Sequence, residues 1–232
     1  MSDVGDGALE ALPQRIQAGG ITALIAVGGV TAYGGEDFTS ASPSLDLAKI
    51  ASAQAPTEYA RVPDAEHKTA MAQIAAQPVP PGYEVHPSSC APQPAAVPQS
   101  TMSNMKVVAF RSRTAIMSLV GYDAGAGKTF DVGQCADTTI IGPDGFEVMT
   151  VPTDKLDIPG ADRTRGSQSV VREKVDSQAF SQYTYVAQVA ERYRVVVFLT
   201  PLLNERSERV LPVAPAHARD LLRSAVAQLV PS

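Results

Sequence analysis

The sequence predicts an α+β domain: an antiparallel β-sheet with an N-terminal helix and a C-terminal amphipathic helix packed on it. Three observations carry this. From Val107 to Thr200 the apolar residues come in short β-rich runs separated by Gly, Pro and Asp, the pattern of strands in succession. Helical spacing is confined to the two flanks of that region, which argues for segregated layers. The final flank places Ala218, Leu221, Leu222, Ala225, Val226 and Leu229 on one stripe, with Arg219, Arg223 and Gln228 facing away. A stripe of that width is the apolar face of a helix laid on a core.

Taken in order, Leu45, Leu47 and Ile50 are spaced for one helical turn. Asp64 is a suitable N-cap, Ala70, Met71, Ile74 and Ala75 follow at helical spacing, and Pro78 stops the run. Pro80-Pro81-Gly82 is a turn before a short extended piece, Tyr83 to Val85. Residues 87–104 hold four prolines, Pro87, Pro92, Pro94 and Pro98. Each restricts the residue before it, so Cys90 is expected in an irregular loop.

Strands are predicted at Val107 to Phe110 and Thr114 to Tyr122, with turn material from Gly121 to Gly133. Thr138 to Ile141 and Phe146 to Val151 flank Gly142-Pro143-Asp144-Gly145. That tetrapeptide is hairpin chemistry: Pro sets φ, Asp bonds its own backbone and Gly takes positive φ. Residues 153–168 read as a long polar loop containing Pro159, Gly160 and Gly166. Ser169 to Val175, Tyr183 to Ala190 and Tyr193 to Thr200 complete the strands. The last is almost continuously apolar, as a central strand covered on both faces should be.

At 232 residues the chain has room for one ordinary domain and an N-terminal segment. Its net charge of -5 offers no basic footprint for nucleic acid, and no Lys/Arg run would hold an anionic membrane surface. The expected partner is therefore a small molecule, a lipid or an envelope component, with any membrane association peripheral at most.

Ile21 to Val30 is an apolar run that ends in Val30-Thr31-Ala32-Tyr33-Gly34-Gly35. With Cys in place of Tyr33 this would be a lipobox, where a lipoprotein signal is cleaved and lipidated. A phenol cannot form the thioether, so export without lipidation is expected. The run is too short to span a bilayer, which takes about 20 apolar residues. Asp3, Asp6 and Glu10 precede the single Arg15, a departure from the positive start of a signal peptide. The organisation expected is thus a signal-like segment with a degenerate lipobox over 1–33, a flexible tether over 34–57 and an extracytoplasmic domain over 58–232.

Two cysteines occur, Cys90 and Cys135. In an exported chain they make one disulfide; in a cytosolic chain they would be two buried thiols.

Linear motifs for chemistry are weak. Gly125-Ala126-Gly127-Lys128-Thr129 approaches a phosphate-binding loop, but Tyr122 stands where that loop needs its first glycine. His67, His86 and His217 match no metal spacing. Asp154 with Asp157, or Asp123 with Asp131, could act as acid and base only by folding together. Cys90 has no cationic neighbour to make it a nucleophile. No catalytic residue, metal or cofactor is expected. The candidate binding residues are Arg163 and Arg165, beside Pro159, Gly160 and Gly166. They would form a mobile rim that meets an anionic or polar headgroup, since long loops are commonly functional.

Pro80-Pro81-Gly82-Tyr83-Glu84-Val85, the cysteine soon after it, Cys135, and the stretch from Tyr183 to Val230 resemble mycobacterial envelope lipoproteins. Their extracytoplasmic domain is similar in style to the sensor domain of the PknH-type Ser/Thr kinases. The resemblance spans roughly residues 58–232. It implies an antiparallel sheet with terminal helices and a cleft for a ligand. The kinase sensors typically hold two disulfides, whereas this chain can make one. The functional expectation is an exported, non-enzymatic ligand-binding or sensory domain. The alternative is an envelope enzyme whose site is assembled from dispersed residues.

Overall fold

A computed structural model of the chain describes residues 44–63, 81–91, 105–125, 135–175, 177–204 and 209–230. Among these, nine strands form one antiparallel sheet. They are β1 (Ala60–Val62), β2 (Glu84–His86), β3 (Lys106–Arg111), β4 (Ala115–Asp123), β5 (Thr138–Ile141), β6 (Glu147–Pro152), β7 (Arg163–Arg172), β8 (Phe180–Val189) and β9 (Tyr193–Pro201). Across the sheet they run β1-β3-β4-β9-β8-β7-β6-β5-β2. A short ladder, β10 (Leu203–Asn204) with β11 (Arg209–Val210), precedes the helix α1 (Pro215–Leu229). The molecule is dominated by its sheet.

Six of the expected strands coincide with β3, β4, β5, β6, β8 and β9 to within about three residues at either end. The β5–β6 hairpin turns where the sequence places it: Gly145 has φ 78° and the Gly142 amide donates to the Phe146 carbonyl at 2.9 Å. An L side chain at Gly145 would be strained there.

The loop expected over 153–168 is a correction. It ends at Asp162, and Arg163 opens a ten-residue strand. The segment Arg163 to Gln168 is polar on both faces, so it lacks the apolar alternation by which a strand is read.

Helix α1 packs on β4, β8 and β9. Leu222, Val226 and Leu229 join Val195, Val197 and Leu199 in one buried cluster. Its first turn begins at Pro215, which has no N–H to leave unpaired.

The tether is also corrected, from Asp46 onward. Leu47–Ser52 is a 3-10 turn whose first amides are capped by Asp46, with Ala48 N–H donating to its carboxylate at 2.9 Å. Leu47 and Ile50 are buried in the main core, because their spacing puts both on the inner side of the turn. A Cβ on Gly121 would lie 2.8 Å from Ile50 Cδ1, so the glycine admits the turn against the sheet. The Gln54 amide donates to Ser224 Oγ at 2.9 Å, tying this segment to α1.

Cys90 and Cys135 are bridged, with Cα atoms 5.5 Å apart. Cys90 ends a 3-10 turn, Ser88–Cys90, that follows β2, and Cys135 lies just before β5. Since β2 pairs with β5, the bridge staples that edge of the sheet.

The signal-like segment 1–33, the start of the tether, the N-terminal helix expected from Asp64 to Pro78, the stretch 92–104 and Ala126 to Phe130 lie outside the described residues. No described helix is long and apolar enough to cross a membrane.

Candidate functional site

Successive residues of a strand point to opposite faces of the sheet. One face lies beneath α1 and is apolar. The strand register defines what the reverse face carries. Its first row runs Arg163, Gln188, Arg194, Tyr122 across β7, β8, β9 and β4. The next row is Arg165, Val186, Val196, Val120, and the third is Ser167, Thr184, Phe198, Ser118. Beyond them Ser169 stands opposite both Gln182 and Thr150, and Thr150 opposite Thr138.

The nine buried polar or charged side chains among the described residues are Ser118, Thr138, Thr150, Ser167, Ser169, Gln182, Thr184, Gln188 and Arg194. By register all of them lie on this reverse face. Gln188 and Arg194 lie in the first row, beyond the apolar second row. The other seven form a band with Val107, Val120, Val186, Val196 and Phe198 on one side and Val85, Ile140, Val148 and Val171 on the other. Burying polar groups is costly unless they are paired, so their gathering on one face calls for a reason.

Part of the band pairs internally: Thr150 Oγ1 and Ser169 Oγ are 2.8 Å apart. Two buried oxygens, Gln188 Oε1 and Thr138 Oγ1, have no hydrogen-bond partner. An unmet buried acceptor costs about 1–3 kcal/mol, so each such group calls for a structural or functional reason.

At the arginine end, burial pushes the Arg194 guanidinium below its ordinary range, while the Tyr122 hydroxyl opposes that shift and Arg163 adds to it. Burial likewise pushes the Tyr122 phenol up, with Arg194 opposing. Burial lowers Arg165 too, against the pull of Asp137. Three cationic side chains thus share one end of the face.

That end is also strained. The turn joining β8 to β9 holds Ala190 at φ 49° and Glu191 at φ 55°. Two consecutive positive values match the tight turn that suits hairpin twist, but Gly and Asn are its usual occupants. Neighbours enforce it. The Asp162 carboxylate accepts the Glu191 amide at 2.6 Å, and the Asp162 amide donates to the Gln188 carbonyl at 2.8 Å. Arg192 Nε donates to both carboxylate oxygens of Asp123 at 2.8 Å. Strain held by several braces collects at functional sites.

The structure therefore brings Arg163 and Arg165 together, one strand step apart on one face, with Arg163 exposed and Arg165 half-buried. They are strand residues and cannot swing as a lid. Arg194, Gln188 and the hydroxyl band are absent from the sequence reading. Their signal was there: Gln182, Thr184 and Gln188 recur at even spacing within β8, and Arg194 interrupts an otherwise apolar run.

The other candidates disperse. Asp154 and Asp157 are both exposed on the β6–β7 loop, Asp123 is engaged by Arg192, and Asp131 lies outside the described residues. His86 faces Glu84 at 3.4 Å on an exposed edge. No group of three or more potential metal ligands occurs among the described residues.

A concavity of about 290 Å³ opens at the start of α1, lined in part by Glu58, Tyr59, Ser112, Arg113 and His217. His217 Nε2 lies 3.2 Å from the Glu58 carboxylate, and its ring packs edge-on to Tyr59. The residue types suggest a serine hydrolase, but the Ser112 hydroxyl is committed to its turn. It accepts the Thr114 and Ala115 amides at 3.2 and 3.0 Å and lies 3.3 Å from the Ala115 carbonyl.

A family model described as Domain of unknown function (DUF5642) matches residues 46–230. The chain belongs to the DUF5642 family. The DUF5642 match begins at Asp46, the cap of the first 3-10 turn. Among curated proteins none matches the chain. The DUF5642 fold is similar to the X-ray structure of an uncharacterized protein from Mycobacterium smegmatis, the Rv0999 ortholog. The TM-score is 0.58 at 21% identity, over 82% of this chain and 99% of that one. The likeness shows that the two share a fold.

Proposed function

We propose that the chain is an exported, non-enzymatic ligand-binding or sensory domain of the cell envelope, and that its ligand meets the reverse face of the sheet at Arg163 and Arg165. The buried polar groups of the reverse face carry this reading. They are hydroxyls, amides and a guanidinium. Such groups orient and hold a ligand, whereas proton transfer at neutral pH calls for carboxylates or imidazoles.

The disulfide fits an oxidising, extracytoplasmic compartment. The signal-like run from Ile21 to Val30 supports export, and Tyr33 supports export without a lipid anchor. The mature domain is then peripheral to the membrane at most. Purification from its own host, followed by native mass spectrometry, tests the reading: a bound small molecule should accompany the folded protein.

A further inference from the structure

The concavity at the start of α1 gathers opposite charges that do not pair with each other. Glu58 lies two residues before Ala60 of β1, and Arg113 lies two residues after Arg111, which stands opposite Ala60 in β3. The ladder thus brings both to the same end of the β1–β3 pair, where neighbouring strands lie about 4.8 Å apart. Opposite charges so placed gain by closing on each other. Here the Glu58 carboxylate lies 3.2 Å from His217 Nε2 instead, and Arg113 enters no ion pair among the described residues.

Both positions are held from behind. His217 Nδ1 is buried, so the imidazole has only Nε2 to offer and uses it to set the Glu58 carboxylate. Arg113 stands in the β3–β4 turn, which the Ser112 hydroxyl pins by accepting the Thr114 and Ala115 amides. Each charge keeps capacity to spare: a carboxylate has about four lone-pair sites, of which His217 takes one, and a guanidinium has five N–H donors. The cavity of about 290 Å³ that both line is also lined by Pro212, Val213 and Ala214.

A lone carboxylate drawn to Arg113 would meet the like charge of Glu58. A lone amine drawn to Glu58 would meet that of Arg113. Like charges brought together select against both. A zwitterion satisfies the two at once. In an α-amino acid a single carbon separates ammonium from carboxylate, and each reaches about 2.8 Å to its partner. That span suits charged side chains rooted on adjacent strands. The cavity lies at the small end of the range for ligand pockets, so the amino acid is a small one.

We propose that this cavity is a second binding site, independent of the reverse face, for a free α-amino acid with a small apolar side chain. Its carboxylate lies on Arg113, its ammonium on Glu58 and its side chain against Pro212 and Val213.

Calorimetric titration of the full chain at neutral pH with L-alanine, L-valine, propionate and ethylamine tests this. At least one of the two amino acids should bind tenfold or more tightly than propionate and ethylamine. Arg113→Gln removes a guanidinium that has no ion pair to lose, so it should weaken that binding at least tenfold with the melting temperature unchanged. Glu58→Gln should weaken it as much. Propionate or ethylamine binding as tightly as the amino acids overturns the proposal, as does amino-acid binding that survives either substitution. No binding by any probe overturns it as well. None of these outcomes bears on the reverse face, which native mass spectrometry tests separately.

Discussion

Asp162 and Glu191 are joined by a 2.6 Å hydrogen bond from the Glu191 amide to the Asp162 carboxylate, across 29 residues of sequence. This contact fixes the β8–β9 turn and sets the residue before Arg163 against the end of the strand that carries Gln188. The turn needs positive φ at Glu191, where a side chain costs about 1–2 kcal/mol. Glu191→Gly should relieve that cost and, after the entropy glycine loses, raise stability by about 0.5–1 kcal/mol. Asp162→Ala should lower it by about 1 kcal/mol. Urea denaturation of both variants checks the pair; destabilisation by Glu191→Gly would show that the turn carries no strain.

Leu222 is fully buried between α1 and the sheet. Leu222→Ala should cost about 2–5 kcal/mol by lost transfer and cavity formation. A loss under about 0.5 kcal/mol in the same assay would make α1 peripheral.

The Cys90–Cys135 bridge closes a loop of 45 residues of sequence separation. Chain-entropy reasoning assigns such a crosslink on the order of 4 kcal/mol. Thiol labelling of the unfolded, unreduced protein should find no free cysteine, and Cys90→Ala with Cys135→Ala should lower the urea midpoint markedly. Stoichiometric labelling at both positions contradicts the bridge.

Tyr122 is held above the ordinary tyrosine value chiefly by burial. In the unfolded chain it ionises near pH 10, and in the folded chain only at higher pH. The unfolded state then binds fewer protons, so this contribution is complete below pH 10 and is lost as pH rises through the folded value. Stability should hold steady to about pH 9 and fall above 10, with a shallower fall in Tyr122→Phe. An unchanged slope in that variant would show that Tyr122 ionises in both states alike.

The sequence was legible where one physical signal dominated. α1 and β9 stood out because apolar residues recur at a helical period in one and run almost unbroken in the other. Gly142 to Gly145 was legible because its turn chemistry is local. The strand expected from Ser169 is the second part of β7; its first part was not legible, because Arg163, Arg165 and Ser167 on one face alternate with Thr164, Gly166 and Gln168 on the other. Leu47 and Ile50 read as part of a tether because two apolar residues in a polar stretch do not announce what they will touch. Arg163 and Arg165 stand on a strand and not on the mobile loop that the sequence suggests. Gln188 and Arg194 join them only through strand register, a long-range property that no local pattern carries.

The central claim is that the arginine end of the reverse face holds the ligand. The most direct measurement compares native mass spectra of wild-type protein and of Arg163→Ala with Arg165→Ala, both purified from the original host. Exposed or half-exposed charges contribute little to folding, so both proteins should melt alike. The account predicts a small-molecule adduct on the wild type that is missing from the variant. The same adduct on both proteins, or a bare wild type, would contradict it.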